Sequence, residues 1–143
     1  MLIQLALGAA IIIMTIIVQV VFLGTLAAFF GNIKHWVSHG RRNLKNIIVM
    51  VFSVLWLVIG ITINTWIWAF TFLIIDEFQN IENALYFAIA SFTTLGYGDL
   101  LMSENWRILG SLSAVNGLIV FGLNTAFLVE LMISTWGKTR IRQ

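Results

Sequence analysis

The chain has 143 residues, of which 60% are hydrophobic and only 10% charged. A soluble domain carries charge on about a quarter of its residues, so the sequence is read as an all-α integral membrane protein. Its formal charge of +2 is too small to point to nucleic acid, and the absence of cysteine excludes disulfides, thiol catalysis and cysteine metal sites.

The first apolar stretch, residues 1–30, contains no charged side chain. It exceeds the roughly 20 residues that span the hydrocarbon as a helix. A secretory signal has a basic start and a shorter apolar core, so residues 1–30 are expected to stay as a transmembrane helix. Their length requires tilt or extension beyond the bilayer core. Gln4 and Gln19 are isolated polar residues within it and are expected to bond between helices.

Residues 31–46 form a basic connection with Lys34, Arg41, Arg42 and Lys45, and the tail, residues 138–143, adds Lys138, Arg140 and Arg142. By the positive-inside rule both segments are expected to be cytoplasmic, with the N-terminus outside. The expected location is the plasma membrane, or the inner membrane of a bacterium. The basic connection also suits anionic lipid as a partner. His35 and His39 are four apart and share a helical face, yet no third metal ligand accompanies them.

A second span is expected over residues 47–75. Its Trp56, Trp66 and Trp68 lie too deep for an interfacial belt and read as packing residues against lipid or the first helix, whereas Trp36, Trp106 and Trp136 fit the interfaces. A short helix follows at residues 80–92, with Asn80 as the expected N-cap and Glu82 favourably placed in its first turn. At about 1.5 Å per residue it is too short to cross the bilayer and enters only halfway. Its partially negative C-terminus then points into the membrane. Gly96 and Gly98, alternating around Tyr97, permit left-handed backbone angles that turn successive carbonyls the same way.

The run Thr93-Thr94-Leu95-Gly96-Tyr97-Gly98-Asp99 resembles the selectivity filter of potassium channels, which typically reads Thr-Val-Gly-Tyr-Gly-Asp. Ala84-Leu85-Tyr86-Phe87 is similar to that family's pore-helix pattern Ala-Leu-Trp-Trp. Trp106 sits where some bacterial members carry tryptophan. The resemblance covers residues 47–137 as a pore domain: outer helix 47–75, pore helix 80–92, filter 94–98 and inner helix 106–136. It implies that four copies of the chain surround one axis. Backbone carbonyls of Thr94, Leu95, Gly96, Tyr97 and Gly98 would replace the water shell of potassium ions, held at Thr94 to Tyr97, and no other cofactor is implied. Asp99 would stand at the outer mouth, while Thr93, Tyr86 and Phe87 would support the filter. The first helix lies outside this pattern.

Three departures bear on behaviour. Phe87 lacks the hydrogen-bond donor found in well-known members, Ala90 stands where some members place a carboxylate, and Leu95 replaces a stiffer Val or Ile. Each removes support, so the filter is expected to inactivate readily.

In the inner helix, the resemblance implies a hinge at Gly117, with close packing an equal alternative; at Gly110 packing is preferred. Asn116 and Asn124 must face a cavity or a neighbouring helix. At least one is expected to line the pore, with interhelical bonding the alternative. Glu130 is a gating candidate whose plain alternative is a salt bridge near the inner interface.

No span carries arginines at every third position, so no voltage sensor is expected, and the short tail predicts no ligand domain. One filter per chain implies a homotetramer. The leading expectation is passive, potassium-selective conduction. A weakly selective cation channel and a non-conducting scaffold or transporter subunit are the alternatives. No nucleophile–base pair or metal triad suggests an enzyme.

Overall fold

A chain without proline and with few charges has little to interrupt a helix, and in hydrocarbon a helix satisfies every backbone group within its own segment. The computed structural model describes residues 1–37 and 42–136, with the side chains of 32–37, 42, 43 and 136 excluded. Four helices follow in order: α1 (Leu2–Val37), α2 (Arg42–Ile74), α3 (Ile81–Phe92) and α4 (Arg107–Trp136). No β-sheet occurs among the described residues, and the segment 94–98 is a strand only in being extended, not paired in a sheet.

The basic connection is shorter than expected. Helical backbone runs on to Val37 and resumes at Arg42, leaving 38–41 between the helices. The 36 residues of α1 correspond to about 54 Å, well beyond a ~30 Å core, in line with the tilt or extension its length requires. The expectations for Lys34, His35, Trp36, His39, Arg41, Arg42, Trp136 and the tail 138–143 fall on side chains or residues outside the described ones. Lys45 is half-buried and already engaged.

α2 stops at Ile74 because Asp76 adopts φ 58°. The Asp76 and Glu77 N–H groups then return to the carbonyls of Leu73 and Phe72, the paired bonds of a Schellman ending. Asn80 does occupy the N-cap of α3 with extended angles, but its side chain makes no capping bond; its carbonyl accepts the Ala84 N–H instead. Glu82 lies in the first turn as expected.

α1, α2 and α4 are each long and apolar enough to cross a membrane, whereas α3 has only 12 residues. α3 packs between α2 and α4, and α1 lies against both of those spans. Trp68, Phe72, Phe92, Leu109 and Val120 are fully buried at the centre. Trp56 packs on the first helix, its ring 5.2 Å from that of Phe22 and its indole N–H donating to the Phe22 carbonyl. Only 22–28% of each span's apolar window is buried within one chain, leaving wide apolar surfaces for lipid or other copies.

Candidate functional site

The site begins where α3 ends. The Thr94 N–H donates to the Ser91 carbonyl (2.9 Å) and the Leu95 N–H to the Ala90 carbonyl (2.9 Å). Thr94 itself has φ 59°, so α3 closes on a second Schellman ending with a threonine in the left-handed position. That conformation costs a β-branched residue roughly 1–2 kcal/mol. A third N–H, from Gly96, also reaches the Ala90 carbonyl at 3.1 Å. The strand is thus anchored to its helix through backbone.

Left-handed angles then recur at Gly96 (φ 54°) and Gly98 (φ 80°), with Leu95 and Tyr97 between them outside that region. This alternation at 94, 96 and 98 is the backbone pattern expected from the two glycines, extended one step by Thr94. Residues 93–99 are all exposed, with Tyr97 71% accessible. Behind the strand lies a cavity of about 660 Å³ lined by Phe87, Ala90, Thr94, Gly98, Met102 and Gly110, among others. One chain therefore leaves the strand unpacked on both sides.

Beyond the glycines, two carboxylates brace the outer loop. The Tyr86 hydroxyl donates to Asp99 Oδ2 at 2.8 Å. This bond is the main reason that the Asp99 carboxyl lies below its ordinary range and the Tyr86 phenol above its own. Glu77 accepts from both the backbone N–H and the hydroxyl of Ser103, the latter at 2.9 Å, tying the end of α2 to the loop after Asp99. Sequence reasoning missed this pair; an acid just past a span gives no hint of its partner 26 residues on.

Phe87 has no polar role. It joins Phe72 (5.4 Å, edge-on) and Phe78 (5.2 Å) in an aromatic cluster behind α3. The Thr93 hydroxyl donates to the Ile89 carbonyl of its own helix at 2.8 Å.

On α4, the structure redirects several expectations. Asn116 is buried and donates to the Thr15 hydroxyl at 2.7 Å; Asn124, 5% exposed, accepts from Gln19 Nε2 at 2.7 Å. Both therefore face α1 rather than an open path, because that helix offers the polar partners that hydrocarbon lacks. A Cβ on Gly117 would lie 1.8 Å from the Phe92 carbonyl oxygen, so this glycine admits the end of α3. Gly110 is likewise packed, against Met102 and Phe87, whereas nothing approaches Gly122. Glu130 is exposed and makes no ion pair among the described residues, so the salt bridge expected for it is absent there. Gln4 donates to the carbonyl of Asn105, in the turn before α4, rather than to another helix. No cluster of three metal-ligating side chains occurs among the described residues.

The exposed face of α4 runs through Val115, Leu118, Gly122, Thr125, Val129 and Ile133. These positions recur at three or four residues and so form one stripe. Residues 60–134, more than half of the chain, match the model of a family described as an ion channel. Neither the curated proteins nor the solved structures compared with the chain give a match.

Proposed function

The chain belongs to the ion-channel family, in its two-span, potassium-channel-like pore-domain form, and from this premise we propose that it is a potassium-selective channel conducting passively as a homotetramer. One observation carries the reading. A strand with left-handed angles at Thr94, Gly96 and Gly98 follows directly on the C-terminus of a short helix that sits between two spans. Alternating handedness turns successive carbonyls to the same side, and a ring of such strands replaces a cation's hydration shell. Non-helical backbone is tolerated in a membrane only where protein or water covers it. The exposed strand and the cavity behind it call for neighbouring copies, and four strands complete a ring.

In this reading potassium ions sit at the carbonyls of Thr94, Leu95, Gly96 and Tyr97, with Gly98 above them. Asp99 concentrates cations at the outer mouth. The α4 stripe through Leu118, Gly122, Thr125 and Val129 lines the path below, in place of Asn116 and Asn124. The basic segments lie on the cytoplasmic side, and the acidic residues Asp76, Glu77, Glu82, Asp99 and Glu104 lie towards the outer face.

A weakly selective cation channel is the second reading. It draws on Phe87 and Ala90, which leave the strand without side-chain donors or acceptors at two positions. Purified protein in liposomes, compared with Tyr97→Ala, tests both readings. Potassium flux that exceeds sodium flux and is lost in the variant is the expected result. Equal flux of the two ions favours the second reading, selective flux that survives Tyr97→Ala sinks the filter assignment, and absence of flux leaves a scaffold.

A further inference from the structure

α4 is held very unevenly. Its outer half buries Leu109, Gly110, Ser113, Asn116, Gly117 and Val120, and Gly117 is locked against the Phe92 backbone. Among the described residues after Gly122, only Asn124 and Leu131 are buried. One further polar contact, Asn46 Nδ2 to the Thr135 carbonyl, is long at 3.4 Å. A segment with so few buried contacts belongs to the low-stability end of a structure. Gly122, with open space around it and a weak helix propensity, sits at the boundary between the halves.

The principal polar hold on the inner half is a single amide. Gln19 of α1, itself fully buried, donates to Asn124 Oδ1 at 2.7 Å and accepts from Asn64 Nδ2 of α2 at 3.0 Å. One side chain thus ties all three spans together. Gly60 makes room for it: a Cβ there would meet the Gln19 amide at 2.9 Å and 3.3 Å. In hydrocarbon no water replaces a lost partner, so the amide bonds either persist or break as a discrete event. Asn64 Oδ1 and Asn124 Nδ2 remain without partners, leaving the cluster incompletely satisfied and able to re-form differently.

We infer that the first helix is a latch on the inner helix: the Gln19–Asn124 bond fixes the inner half of α4, and its release lets that half move about the Gly117–Phe92 contact and so changes conduction. The inference rests on the conduction reading above. It gives α1 a task that no feature of the pore domain itself supplies. The exposed stripe of Gly122, Thr125, Val129 and Ile133 moves with the latch, whereas the strand at 94–98, attached to the outer half, does not.

The test uses single-channel recording of the reconstituted full chain and of Gln19→Leu, Asn124→Leu and the double variant. Interhelical amide bonds in membranes are worth enough to shift an equilibrium by about threefold to thirtyfold. Open probability should shift by that factor in both single variants, in the same direction, with the double variant shifting no further. Unitary conductance and reversal potential should stay unchanged. Thr25→Val removes a hydroxyl that bonds only the Phe22 carbonyl of its own helix and should have no effect. Unchanged open probability in folded Gln19→Leu, or additive shifts, overturns the latch.

A second readout does not need conduction. The chain has no cysteine, and Leu131, in the inner half of α4, is buried at 6% exposure. In Leu131→Cys, a membrane-permeant maleimide should react several-fold faster when Gln19→Leu is also present. Equal rates overturn the latch. Absence of flux from the wild-type chain overturns the conduction reading instead, and the thiol rates then still judge the latch.

Discussion

At the scale of single residues, one hydroxyl-to-carboxylate bond joins Tyr86 to Asp99. The bond between them is exposed and spans 13 residues, from the middle of α3 to the end of the glycine strand. Tyr86→Phe removes it and leaves the ring in place. Conduction in low external potassium is expected to decline several-fold sooner in this variant than in the parent chain; an unchanged time course would assign the support to the Ala90 carbonyl alone. The pH dependence follows from the same pair. Asp99 has its carboxyl lowered by the Tyr86 hydroxyl, so its contribution is full above the ordinary value of 3.8 and is lost as pH falls below it through the depressed one. Tyr86 is raised by Asp99, so its contribution is full below the ordinary 10.0 and is lost as pH rises through the elevated one. The rate of decline should therefore be flat between these limits as far as this pair controls it, and a step near neutral pH in a recording series would refute that. The motif Thr94–Asp99 was legible in the sequence because glycine spacing and an adjacent acid are local features. Its anchoring was not: the three N–H groups that return to α3 depend on the left-handed turn at Thr94, a residue that resists such angles.

At the scale of the helices, two glycines of α4 make opposite predictions. Gly117→Ala drives a methyl into the Phe92 carbonyl, and overpacking of this kind costs typically 1–3 kcal/mol, here about the upper end of that range or more. Gly122→Ala meets nothing and removes backbone freedom from the unfolded chain, for a gain of up to about 1 kcal/mol. Thermal unfolding in detergent, followed by tryptophan fluorescence, should show a lower midpoint for the first and an equal or higher one for the second. The reverse order would mean that α3 and α4 do not meet as described. Both glycines interrupt the same apolar run in the sequence and look alike there. The positions of the four helices were legible, since length and hydropathy fix them, but the end of α1 and the start of α2 moved well into the basic segment and other boundaries moved by a single residue. α1 and α2 continue into the basic segment because nothing there compels the backbone to stop, and α2 ends earlier because Asp76 turns left-handed. The lack of a side-chain cap from Asn80 is a further departure: a position with capping angles does not by itself aim the amide at the helix.

As a whole, one chain leaves much apolar surface uncovered. Its spans bury less than a third of their apolar windows, and its glycine strand is exposed throughout. Native mass measurement of the purified protein should give four copies of 16.1 kDa; a monomer or dimer would remove the ring. Sidedness has its own check. In intact cells a membrane-impermeant thiol reagent should label Glu104→Cys from outside, and labelling only after lysis would invert the topology.

By itself the sequence determined the membrane setting, the three spans, the half-length helix and the glycine motif that follows it. These depend on composition, length and local spacing, which no partner can change. Tertiary structure alone decided which faces meet. An apolar helix such as α1 presents hydrocarbon all round, so its sequence reveals that Gln19 needs partners but not which partners it finds. The same holds for Asn116 and Asn124, of which at least one was expected to line the pore with interhelical bonding as the alternative, and both of which bond α1, and for Glu77, found on Ser103. The cost of burying a polar group dictates that it be satisfied; only the packing of three helices dictates by whom.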